Sequence, residues 1–404
     1  MTQGELISQK IYYYQDHSAI VNKDHTNNIS KDEVKFYTNK DVIGTDYNFK
    51  HQVVWKNAIG FLILHILALY GFMLVLMGTC KFSTFVWSKF NFLCYLSVEG
   101  VTVGAHRYYT HKSFKAKPLL RGIMLLFQTI AGQNSMFIWC RDHRLHHRYS
   151  DTDGDPHNSK RGFFFCHIGW LMTKKHPLVI ELGRKIDMSD LKADWMVMFQ
   201  KKYYYELYFI FAILLPVVVP VYYFGETWKN AILICYFWRY IFMINGTWLV
   251  NSAAHLYGTR PYDEKLQPVE SWFVSLISLG EGWHNYHHAF PWDYKAAELT
   301  MHFNFSADLI RFFEKIGLAW DLKTASPEIV EKRILRTGDG THFRHGNDEA
   351  RSSVTAIGFL HPINPSYNTI KKAPDAELKP EGLPLFHEKD VLDVDNLTRT
   401  SKSG

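Results

Sequence analysis

The chain has 404 residues, 47% of them apolar and 16% aromatic, and a formal charge of +6. That length accommodates two average domains or one larger one. So mild a basic balance is too weak to argue for nucleic acid as a partner and suits an anionic membrane face or a phosphorylated substrate.

Taken in chain order, residues 1–50 are polar and lack a basic stretch followed by an apolar core, so no cleaved signal peptide is expected. Residues 57–80 carry no formal charge, lie between Lys56 and Lys81, and are long enough to cross a bilayer, which needs about 20 apolar residues. A soluble fold would have difficulty burying such a run beside a second apolar stretch. That second stretch, residues 82–105, contains Lys89 and Glu99 and is a weaker span. Residues 119–140 are apolar again, but crossing there would put HRYYTH (106–111) and HRLHH (143–147) on opposite sides of the membrane. The stretch also holds Gln128, Gln133, Asn134 and Ser135, which are costly facing lipid. It is therefore expected as one interfacial helix. Residues 207–225, with Pro216 and Pro220, and 230–254, with Arg239, make a second hairpin. Beyond about residue 340 the chain is polar, and both ends read as cytosolic and loosely ordered. The expectation is an all-α integral membrane fold. It has four transmembrane helices in two hairpins within residues 51–340, under a helical cytosolic cap. Lys112, Lys115, Lys117, Arg121, Arg141, Arg144, Arg148, Lys174 and Lys175 fall on the cap side, as the positive-inside tendency asks.

The five cysteines, Cys80, Cys94, Cys140, Cys166 and Cys235, are scattered and form no CxxC site, so they read as buried free thiols. The histidines are not scattered. His143, His146 and His147 stand at i, i+3 and i+4, and so do His284, His287 and His288; Asn251 and His255 are an i, i+4 pair. On helices these offsets place the imidazoles on one face. His106 and His111 are five apart, about 140° on an ideal helix. They share a metal only if the helix ends between them; otherwise they serve different metals. Nine histidines and one asparagine at one membrane face are too many for a tetrahedral zinc. They suit two metals of higher coordination, with all-nitrogen ligation fitting iron. Asp142, Asp151, Asp153 and Asp155 are placed to orient imidazoles from behind. His65 reads as a hydrogen-bonded core residue, and His157, His167, His176 and His302 lack paired spacing. A transporter or receptor with a structural zinc site would need polar groups along its spans, where only Lys89, Glu99 and Arg239 occur.

GAHRYYTH, RDHRLHHRYSDTDGDPHN, NSAAHLYG and GEGWHNYHHAFPWDY resemble the histidine boxes of membrane acyl-CoA desaturases, with a close match to insect and animal stearoyl-CoA members over about residues 53–342. The resemblance implies a cis double bond placed in a long saturated acyl-CoA, with two non-haem irons, O₂, and electrons from cytochrome b5 and its reductase at the endoplasmic reticulum membrane. It implies iron ligation by His106, His111, His143, His146, His147, His255, His284, His287 and His288, with Asn251 acting through a water. It gives Asn57, Arg141, Asp142, Lys174, Lys175 and Trp248 to the CoA head group, and Gln133, Trp139 and Thr247 to the bend of an acyl tunnel. Cys94 and Val98 fall near that tunnel's closed end, where bulk limits chain length. Tyr108, Tyr109, Ile138, Cys140 and QPVE (267–270) depart from the broad-specificity pattern. They leave open whether the bond is placed at Δ9 or at a specialised Δ11-type position of insect lipid or pheromone synthesis. A related hydroxylase, acetylenase or conjugase would share the same histidines.

Overall fold

The structure is a computed structural model describing residues 43–90, 93–298, 304–347 and 350. The segment before residue 43, the tail beyond 350 and His302 lie outside the described residues. Among the described residues the fold is mostly helical, with one two-stranded antiparallel ribbon pairing Lys115–Ala116 with Ala319–Trp320.

Among the described residues three helices are long and apolar enough to cross a membrane: Trp55–Leu76, Tyr204–Phe224 and Trp228–Leu256. They match three of the four expected spans to within a few residues. The first is apolar all round, and Leu62, Ile66, Leu69 and Leu76 are each more than half exposed, a surface suited to lipid. The expected second span is helical on both sides of residues 91–92, over Phe82–Phe85, Val86–Phe90, Leu93–Glu99 and Gly100–Thr110. Its last piece is almost wholly buried. A side chain at Gly100 would collide with the backbone at Phe127 and Gln128, so its bare Cα lets the helix Pro118–Ala131 close on it.

The single interfacial helix expected over 119–140 is two helices, Pro118–Ala131 and Met136–Tyr149. Gly132 (φ 69°) and Asn134 (φ 68°) take left-handed conformations and end the first. The amides that argued against lipid exposure are satisfied internally. Gln128 Nε2 donates to Asn134 O (2.7 Å), and Gln200 donates to Gln128 Oε1 (2.7 Å) while accepting from the Met136 N–H (3.0 Å). The break re-aims the chain, so Met136–Tyr149 carries its three histidines into the interior.

Arg239 is fully buried inside the third long helix. Its guanidinium donates to Cys235 O (2.9 Å), Ala212 O (3.0 Å), Ser97 Oγ (3.3 Å) and Ile130 O (3.4 Å). One side chain thereby joins four helical segments. Residues 43–54 form a strap across the cap. Asp46 N–H donates to Asp153 Oδ2 (2.7 Å), Lys174 N–H to Gln52 O (2.8 Å) and Val54 N–H to Met172 O (2.7 Å).

Candidate metal centre and the cavity beneath it

The helix Gly100–Thr110 resolves the spacing problem of His106 and His111. It is wound in wide turns closed by i→i+5 bonds, and His111 N–H itself donates to His106 O (3.1 Å). Five residues then come back to the same face. The helix ends at Thr110, just before His111, and the two histidines fall in the same set.

All nine histidines gather in two sets. His106, His111, His143, His147 and His287 form one; His146, His255, His284 and His288 form the other. Within each set one ring nitrogen per residue lies within 4.8 Å of the rest. Nε2···Nε2 separations are 2.8 Å for His106–His287, 3.0 Å for His287–His147, 3.2 Å for His111–His143, 3.2 Å for His288–His284 and 3.3 Å for His146–His288. Those are the spacings of neighbouring donors on one ion with metal–nitrogen bonds of about 2.0–2.1 Å.

The donor set fits a cation for a second reason. Burial first, and then the neighbouring imidazoles, hold His111, His143, His147, His284, His287 and His288 well below the ordinary histidine value. They are neutral and offer lone pairs. Behind them stand carboxylates: Glu281 on His106 Nδ1 (2.7 Å), Asp155 on His146 Nδ1 (2.8 Å) and Asp151 on His255 Nδ1 (3.2 Å). Each accepts a hydrogen bond from Nδ1–H and leaves the Nε2 lone pair to face the metal. The buried His255 Nε2 meets no hydrogen-bond partner among the described residues.

Of the four aspartates expected behind the imidazoles, Asp151 and Asp155 are there. Asp153 instead pairs with Arg161 (2.5 Å), and Asp142 with Arg141 (2.9 Å) and Lys175 (2.9 Å). Burial works to raise the Asp142 carboxyl, but Lys175 and Arg141 bring it down to about 2. Glu281 was missed in the sequence, although it stands three residues before His284. Burial opposes its ionisation, yet Arg107 (2.6 Å) and His106 lower it to about 2. His157 packs against His146 and Asp155 behind the ligands, where its lone spacing gave no signal. Glu281→Gln should keep the shape but lose the charge on the His106 proton. The expected result is a 10–100-fold fall in metal affinity or activity, read by metal titration; an unchanged affinity would remove Glu281 from this role.

Beneath the histidines lies a cavity of about 430 Å³. His106, His143, His146, His284 and Asn251 form its head, and Trp139, Thr247, Cys94 and Val98 line its walls. Gln133 stands behind the wall, accepting from Trp139 Nε1 (3.1 Å) and donating to Thr247 Oγ1 (2.9 Å). On the cap side Arg141, Asp142 and Lys175 form one ion-paired group, next to Lys174 in sequence. Asn57 Nδ2 donates to Leu171 O (2.9 Å), three residues before Lys174. Trp248 is 3% exposed and packs against Phe61, His65 and His167. Tyr108, Tyr109, Ile138, Cys140 and QPVE are not among the residues lining the cavity.

Residues 85–305 match the family model for fatty acid desaturase. The chain is 51% identical over 295 residues to an acyl-CoA Delta-9 desaturase of Acheta domesticus, covering 73% of this chain and 81% of that one. It is 47% identical over 312 residues to a stearoyl-CoA desaturase of Homo sapiens, covering 77% and 85%. It is 49% identical over 294 residues to acyl-CoA desaturase 3 of Mus musculus, covering 72% and 80%.

Proposed function

The chain belongs to the fatty acid desaturase family and is an acyl-CoA desaturase, an oxidoreductase, and from that premise we propose that it places a cis double bond in a long saturated fatty acyl-CoA, at carbon 9, with two non-haem irons held by its nine histidines. The observation that carries the reading is the division of the histidines into two sets at the head of one apolar cavity. A single tetrahedral structural zinc would leave five of the nine histidines without a purpose.

A methylene C–H bond does not yield to acid–base chemistry, and the bound irons supply the oxygen activation that removes its hydrogens. The protein's own groups do the rest. Glu281, Asp155 and Asp151 fix the imidazole tautomers. Trp139, Thr247 and Gln133 lock the cavity wall, so that one pair of carbons rests beside the histidines and water is kept out. Arg141, Lys174 and Lys175 suit the phosphates of CoA, which anchors the chain and sets the carbon count. Asn57 belongs at the same mouth, and Asn251 reaches the second set through a water. Segment 82–110 serves as the fourth crossing, with the cap and both termini on the cytosolic face of the endoplasmic reticulum. Cytochrome b5 and its reductase deliver the electrons.

Carbon 9 is favoured over a Δ11-type position because the departures from the broad-specificity pattern stay away from the cavity. The test is expression in a yeast lacking its own desaturase, followed by mass spectrometry of derivatised fatty acids. Cis-9 monoenes are expected. Bonds at carbon 11 would overturn the position; products that gain oxygen or lose four hydrogens would point to a hydroxylase or acetylenase.

A further inference from the structure

Arg239 and Glu99 are both charged residues buried within expected spans, and they are used differently. Arg239 spends its guanidinium on four acceptors. Glu99 is 2% exposed, and its Oε1 meets no hydrogen-bond partner among the described residues. Its Oε2 accepts from Thr102 Oγ1 (3.1 Å), which accepts in turn from Ser306 Oγ (3.0 Å). Both hydroxyl residues are buried. The charges that act on Glu99 are Arg107 of its own segment and Glu281 of the loop before His284, and these two are bound to each other (2.6 Å). Tyr95 and Thr102, at i−4 and i+3 from Glu99, line the cavity, as does His106 further along. Glu99 therefore sits behind the cavity wall, on the same side of its helix as Tyr95 and Thr102.

We propose that Glu99 is the acid that holds a proton for dioxygen reduction at the head of the cavity, and that Thr102 and Ser306 refill it. The inference rests on the acyl-CoA desaturase reading above and deepens it. Desaturating one carbon pair reduces one dioxygen to two waters. The substrate gives two hydrogens; two electrons and two protons come from outside it. A site walled by hydrocarbon has to store such protons close by. A carboxyl buried without a counter-charge keeps its proton, because losing it would leave a bare charge in apolar surroundings. The hydrogen bonds also run one way. Ser306 donates to Thr102 and Thr102 donates to Oε2, so the carboxyl proton lies on Oε1, the atom without a partner. When that proton leaves for oxygen at the cavity head, the Thr102 proton passes to Oε2 and the Ser306 proton to Thr102. Solvent makes good the loss at Ser306 along the helix Phe305–Lys315, whose first turn carries the exposed Asp308. Glu99 stands seven residues before His106, roughly 10 Å or less at about 1.5 Å per residue. The water that the reaction forms bridges such a gap.

The experiment uses the full chain with its metals, purified in detergent. The infrared difference between the unaltered chain and Glu99→Gln should show the carbonyl band of a neutral carboxylic acid, a readout that needs no turnover. Metal content and stearoyl-CoA affinity of the glutamine variant should match those of the unaltered chain. Its desaturation should fall about 10²–10⁴-fold, the share that a positioned acid contributes, with electrons drained into hydrogen peroxide instead of alkene. Thr102→Val keeps the shape and removes the refilling hydroxyl. It should retain the acid band and slow turnover by roughly tenfold, about one hydrogen bond's worth. An absent band, or unaltered turnover in either variant, overturns the proposal. So does a glutamine variant that loses metal or stearoyl-CoA binding in step with activity, which would make Glu99 structural. An acid band in a chain that forms no alkene keeps the stored proton and strikes the desaturation reading instead.

Discussion

His146→Ala abolishes desaturation while the membrane helices remain folded. His146 is 1% exposed and belongs to the second, four-histidine set, its Nδ1 fixed by Asp155 and its Nε2 3.3 Å from that of His288. Alanine removes a donor that no neighbour can replace. His147 is one residue away but serves the other set, and His157 lies behind Asp155. The five-histidine set is untouched. On the two-iron reading, metal analysis should find about one iron per chain in the purified variant against about two in the unaltered protein, since each ion depends on its own deprotonated ligands. Activity should fall below detection while circular dichroism stays helical. Full activity would sink the assignment of His146 as a ligand; loss of both metals would mean that the two sets are not independent.

Arg239→Leu is expected to cost the fold several kcal/mol. The guanidinium makes four hydrogen bonds, three to backbone carbonyls, from a fully buried position. At about 0.6–1.5 kcal/mol each, measured between membrane and soluble contexts, the loss is about 2–6 kcal/mol. Leucine fills part of the volume and offers no donor, so Ala212 O and Ile130 O each lose a partner. The thermal midpoint in detergent should drop by many degrees. Arg239→Lys should recover part of it, since an ammonium keeps the charge but cannot fork to four acceptors. A leucine variant as stable as the parent would show that the arginine is tolerated rather than structural.

The site was largely legible because its information is local. Two i, i+3, i+4 triplets and an NxxxH pair announce shared helix faces, and the structure brings every one of those histidines together. What could not be read has a physical cause each time. The i→i+5 winding around His106 is absent from an ideal-helix projection, which assumes 3.6 residues per turn. Gly132 and Asn134 mark a break in the interfacial stretch, but hydropathy averages across them. Gln128 looked like a penalty because its partner, Gln200, is 72 residues away. The three long apolar helices were plain from long runs with few or no charges. The second segment, with Lys89 and Glu99, was ambiguous in the sequence, and its last piece packs inside the bundle.

The order in which the ligands occur along the chain has a consequence for biosynthesis. The five-histidine set needs His287, and the four-histidine set needs His284 and His288. A ribosome adding about 5–20 residues per second finishes all three long apolar helices before that last helix emerges. The bundle and its hydrocarbon-lined cavity therefore exist, briefly, without a complete set of donors for any ion. On the reading that both sets hold iron, loading would be completed only after that helix emerges, and chains arrested before residue 284 should retain less iron than the full chain.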